Sequence, residues 1–179
     1  MLTIYIPESE SYDEVNNEFV YIKPQKLVLE HSLVSISKWE AKTHKPFLSN
    51  NTKTTQEIID YIECMTITQN VDSEVFKHIP NSEITKIEKY IDDPMTATTF
   101  SLRDEKRSNK IITSEVIYGW MVSLNIPVEF QKWHINRLLT LIRVCHEQQA
   151  PPKKLSKSEI FARNKALNAK RRKALHTKG

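Results

Sequence analysis

The side chains most able to do chemistry are present in this chain but are not spaced to do it. Six histidines (His31, His44, His78, His134, His146 and His176) are scattered, and no pair has the HExxH spacing that puts two imidazoles on one helical face around a zinc ion. Cys145 and His146 are adjacent, which on a helix points them about 100° apart and makes a poor chelate. Cys64 and Cys145 have no CxxC partner and are expected to be buried free thiols. Glu88, Asp92 and Asp93 cluster before Pro94, yet Asp-Asp-Pro reads as a solvated turn more readily than as an acid–base pair. A G-x-S-x-G nucleophile elbow is missing. The glycine count is the sharpest restriction. Only Gly119 and Gly179 occur, whereas phosphate-cradling loops need several glycines for close backbone approach. No catalytic residue, metal ligand or cofactor is therefore expected, and the chain is not read as an enzyme.

The elements that would carry any site are mostly helical. Leu2, Ile4 and Ile6 alternate with Thr3 and Tyr5 and predict a strand that Pro7 ends. Residues 19–22 and 26–29 are two more short β-rich runs, split by Pro24, and 8–18 reads as an acidic loop. From Ser32 the period becomes helical: Leu33, Ile36 and Trp39 recur until Pro46. Thr54 and Glu57 form a capping box ahead of the stripe Ile58, Tyr61, Ile62 and Met65. Short helices are predicted after Asp72 and from about Asn81, the second stopping at Asp92-Asp93-Pro94. Residues 95–110 have no period. Another helix opens at Thr113 or Ser114 and carries Ile117, Trp120 and Met121. Gly119 inside it costs about 1 kcal/mol against alanine, and close packing on a neighbouring backbone is the expected compensation. Pro127 fits the first turn of a further helix. Ile135, Leu138, Leu139, Ile142 and Cys145 make the longest stripe. Pro151-Pro152 then divides a body, 1–149, from a tail, 150–179, in which Ser156 and Glu159 are placed to cap a basic helix. The expected class is α+β, predominantly helical.

Charge separates the same two parts. The tail holds ten Lys/Arg against Glu159 alone, while the rest holds 16 basic residues against 21 acidic ones. Lys153, Lys154, Arg163, Lys170, Arg171, Arg172 and Lys173 are its candidate basic contacts, and Ile160, Phe161 and Leu167 its apolar anchors. Three readings fit: docking on an acidic protein surface, a solvated appendage, or phosphate binding by a nucleic-acid arm. The seven-residue step from Ile160 to Leu167 favours docking. In the body, Trp39 is followed by a polar run, which leaves partial exposure as a protein-binding anchor open beside a core role. Trp120 lies on a core stripe, and Trp133 could staple the helix that follows it; both are carried as further candidate anchors.

The segment from Val116 through Trp120, Ile126-Pro127, Trp133, Arg137, Leu138 and Leu139 resembles phage tail assembly chaperones. There, a Trp-bearing helix ends in an Ile-Pro turn, and an aromatic residue leads into an Arg-Leu-Leu helix. The runs 23–48 and 92–100 and the end of the tail look like parts of other proteins from tailed-phage structural gene clusters. The resemblance implies a non-catalytic chaperone that binds the tape-measure protein or tail tube subunits, with Leu138 and Leu139 added to the contact residues. It implies the host cytoplasm during virion assembly as the location, or alternatively the virion tail. A homo-oligomer is compatible with this. A retained tail or neck component and a small nucleic-acid-binding protein are the alternative functions. No apolar run approaches the roughly 20 residues of a membrane span, and the acidic start is unlike a signal peptide.

Overall fold

The computed structural model of the chain describes residues 1–13, 17–49, 52–100, 111–149 and 157–177. Strand β1 (Leu2–Ile6) pairs antiparallel with β4 (Gln25–Leu29), and β2 (Ser9–Asp13) with β3 (Glu18–Ile22). Both ladders keep one register. Leu2 faces Leu29 and Ile6 faces Gln25; further along, Ser9 faces Ile22 and Asp13 faces Glu18. Continuing that register sets Pro7 opposite Pro24. Neither has an N–H to give, so a single long hairpin loses its ladder at the same point on both strands. The buried face changes there. Ile4, Ile6, Leu27 and Leu29 are buried before the break and Ile22 after it, while Tyr12, Phe19 and Tyr21 are exposed.

The acidic segment 8–18 is thus not all loop, since β2 runs through it. Glu10 pairs with Tyr21 across the hairpin. Tyr12 meets Phe19 with ring centroids 5.1 Å apart, the sort of aromatic cross-strand pair that stabilises a ribbon. The Tyr12 hydroxyl donates to Asn17 Oδ1 at 3.1 Å and that of Tyr21 to Glu8 Oε2 at 3.2 Å.

Helices account for most of the rest, and the fold is α+β, predominantly helical. They are α1 (Leu33–Thr43), α2 (Thr55–Met65), α3 (Asn81–Asp92), α4 (Ser114–Ser123), α5 (Ile135–Gln149) and α6 (Lys157–Leu175), with 3-10 helices at Ser73–His78 and Val128–Lys132. The capping box of α2 forms as expected: Glu57 N–H donates to Thr54 Oγ1 at 3.3 Å and Thr54 N–H to Glu57 Oε2 at 2.8 Å. The second box, at Ser156, lies outside the described residues. After Pro127 the chain makes a 3-10 turn, and α5 starts only at Ile135. The chain divides into two compact units, Met1–His146 and Glu147–Gly179.

The end of β4 stitches the first unit together. Glu30 N–H donates to Met65 O at 2.8 Å, Ile67 N–H to Val28 O at 2.8 Å and Ile135 N–H to His31 O at 3.0 Å. Residues 28–31 thereby tie the end of α2 and the start of α5 to the hairpin. Trp39 belongs to this core and is only 2% exposed. Its Nε1–H donates to Glu57 O at 2.9 Å, and its ring meets Phe47 edge-on. The reading of Trp39 as a partly exposed anchor is corrected: the indole fills the gap to α2, and Glu40, the first residue of the polar run, is buried beside it on α1.

Gly119 is a second correction. It is exposed, and a Cβ built on it would meet nothing within 4 Å. No close backbone approach requires it. Gly119→Ala is expected to stabilise the protein by about 0.5–1 kcal/mol through helix propensity alone, read as a higher urea midpoint. A lower midpoint would show that the position needs glycine after all.

Candidate functional site

The most anchor-like surface lies where α4 turns into α5. The turn is made by local chemistry. Leu124 N–H bonds back to Trp120 O and Ile126 N–H to Met121 O. Asn125 takes a left-handed φ of 53°, which asparagine tolerates better than most residues. Pro127 then presets the backbone ahead of the 3-10 helix. Within it Tyr118 OH donates to Gln131 Oε1 at 3.0 Å, joining α4 to the turn.

This turn presents a stack. Phe130 and Trp133 lie nearly parallel, 15° apart, with centroids at 4.0 Å. The Arg137 guanidinium lies 4.1 Å from the Trp133 ring centroid, close enough for a cation–π contact. All three keep part of their surface open: Phe130 and Trp133 are half-buried and Arg137 exposed. Val122, 77% exposed, and Val128, 58% exposed, add apolar surface on the same turn. Trp120 and Leu139 are half-buried and pack against the core from its edge. Aromatic residues and arginine with apolar neighbours are the composition of binding hot spots. The stacked geometry also fixes the rotamers before binding, which lowers the entropy lost on association.

Of the candidate anchors singled out in sequence, Trp133 stands in this stack, while Trp120 and Leu139 are half-buried at the edge of the core. Leu138 is fully buried, because its position on α5 faces the core alongside Ile135 and Ile142. Neither Leu138 nor Trp39 offers surface to a partner. Phe130, Val122 and Val128 went unnoticed. Phe130 was legible as an aromatic three residues before Trp133, with Arg137 four residues after it. On the tail helix, Ile160, Phe161, Leu167, Arg163, Lys170, Arg171, Arg172 and Lys173 are all exposed. Lys153 and Lys154 lie outside the described residues.

The interior holds a different constellation. His31 and His134, distant in sequence, meet edge-on with centroids 4.9 Å apart. The Tyr61 hydroxyl bonds His31 Nδ1, and His134 Nε2–H donates to Tyr90 O at 2.8 Å. His134 Nδ1 is buried without a partner. Burial pushes the His31 imidazole down to about 3, helped by its neighbour His134. Burial likewise lowers His134 and raises Tyr61 well above its usual value. The Tyr61 phenol therefore keeps its proton and donates it to a neutral His31. At 2% exposure His31 meets no solute; its role is to satisfy polar groups at the junction of β4, α2, α3 and α5. Both cysteines are half-buried rather than fully buried, and burial raises the Cys64 thiol.

Among the described residues, no group of three or more His, Cys, Asp or Glu is placed to hold a metal ion. No helix among them is long and apolar enough to cross a membrane. Comparison of the chain with protein-family models, with curated proteins and with solved structures gave no match.

Proposed function

We propose that this protein is a non-catalytic phage tail assembly chaperone, and that the turn between α4 and α5 is where it holds an apolar helical segment of the tape-measure protein or of tail tube subunits. The observation that carries the reading is the stack of Phe130, Trp133 and Arg137 beside exposed Val128. It falls on the same segment that resembles the chaperone family. Helical targets with apolar stripes are recognised by aromatic and aliphatic anchors. The charged remainder of the surface would keep such a complex soluble.

Co-expression with the tape-measure protein tests it. The wild-type chain is expected to raise the soluble fraction of that protein several-fold. Combining Phe130→Ala with Trp133→Ala should abolish most of the gain, since each anchor removed from a hot spot costs about 2 kcal/mol or more. An unchanged soluble fraction with the wild-type chain would sink the proposal. A retained tail or neck component is the second reading. Finding the protein in purified virions in stoichiometric copies would favour it.

A further inference from the structure

We propose that α6 is a duplex-DNA-binding helix that enters the major groove. This goes beyond the chaperone reading and does not rest on it. Over Lys157–Leu175 every residue is exposed, and seven cations face one acid, Glu159. The cations are Lys157, Arg163, Lys165, Lys170, Arg171, Arg172 and Lys173. Placed at about 100° per residue, they ring the helix and leave no charge-free arc wider than about 80°. A helix that docks in a protein groove needs an apolar stripe of at least about 100°. Ile160 and Leu167 do share a line, but Arg171 stands on it too. Seating that line in an apolar groove would bury a cation without a partner, which is strongly unfavourable.

A groove walled by phosphates on both sides removes that penalty. The B-form major groove is about 12 Å wide and admits an α-helix about 10–12 Å across with its side chains. Cations on opposite flanks then each face a phosphate strand. The remaining line carries Ile160, Asn164, Leu167 and Arg171. Asparagine and arginine are side chains that pair with adenine and guanine edges, while apolar groups meet the thymine methyl. The deep, narrow major groove of A-form RNA does not admit such a helix, so the chemistry selects DNA.

The test is fluorescence anisotropy of the full chain with a labelled B-form duplex of about two helical turns. Binding at about 50 mM salt should weaken at least about 100-fold by about 200 mM, as release of counterions from four or more phosphates requires. The combined variant Lys170→Gln, Arg171→Gln, Arg172→Gln and Lys173→Gln alters only exposed side chains. It should keep its helicity by circular dichroism and flatten the logarithmic salt slope by about 3. No binding at about 50 mM salt, or equal binding by the variant, overturns the proposal. So does competition by duplex RNA or poly-glutamate as effective as that by unlabelled duplex DNA, the second pointing to an acidic protein surface instead.

Discussion

Replacing Glu40 with alanine is expected to destabilise the protein by about 3–5 kcal/mol, more than most surface or core substitutions. Glu40 is nearly buried on α1, and among the described residues it forms no ion pair with a cation. Its Oε1 accepts the Phe47 backbone N–H at 2.8 Å, and its Oε2 accepts the Ser114 N–H at 2.7 Å, across 74 residues of sequence. Ser114 opens α4, whose N-cap residue Thr113 makes no side-chain capping bond. The carboxylate therefore supplies the missing cap from another helix, with its charge at the favourable end of the α4 dipole. Alanine leaves two buried donors unsatisfied, at about 1–3 kcal/mol each, and also forfeits the charge–dipole term. Urea unfolding measures the loss directly. With a slope of about 2 kcal/mol per molar, the midpoint should fall by about 2 M. A shift below about 0.5 M would mean that water satisfies both donors and the bridge is incidental.

Mild acid should loosen the fold. His31 takes up a proton at about 3 in the folded chain against 6.5 when unfolded. Over that interval the unfolded state binds more protons, so stability falls as pH falls. The contribution is fully present above pH 6.5 and is lost progressively toward pH 3, amounting to about 5 kcal/mol in all and about 2 kcal/mol by pH 5. His134, lowered by burial as well, acts in the same direction. The groups around them cannot absorb the charge. Tyr61 holds its proton, Tyr90 presents a phenol and a carbonyl, and the Asp93 carboxylate favours a charged His134 without overcoming its burial. Unfolding free energies at pH 7 and pH 5 are the measurement. His31→Gln should be less stable than wild type at pH 7, having lost its bond to Tyr61, but should fall less between the two pH values. A wild-type stability flat from pH 7 to pH 5 would show that the cluster opens to water.

Glu40 and His31 also show where sequence reading stops. Helices with a stripe and a cap were legible because both signals are local: Thr54 to Glu57 and Ile58 to Met65 define α2 within a dozen residues. The strands Leu2–Ile6 and Gln25–Leu29 were visible for the same reason. What joins them was not. A carboxylate bonding an amide 74 positions away leaves no periodic trace, and in sequence Glu40 is one polar residue of a polar run. His31 and His134 look scattered until β4 and α5 bring them together. In the hairpin, Pro7 and Pro24 each read as the end of a strand. Their facing positions emerge only from the register. For the anchor surface, Trp133 and Arg137 belong to a recognisable segment, whereas Phe130 gains meaning only from the 3-10 turn that stacks it. For Trp39, the hydropathy of the following residues says nothing about the side the indole takes. On α6, the seven-residue spacing drew attention to an apolar line. The ring of cations around that line becomes apparent only when every position is placed on the helix.

Hydrogen exchange of the chain, alone and with a soluble segment of the tape-measure protein, tests the central claim most directly. The chaperone reading predicts slowed exchange of amides between Tyr118 and Leu139, centred on the 3-10 turn, with the hairpin and α6 unchanged. Unaltered exchange across that turn, or protection confined to the hairpin or to α6, would contradict it.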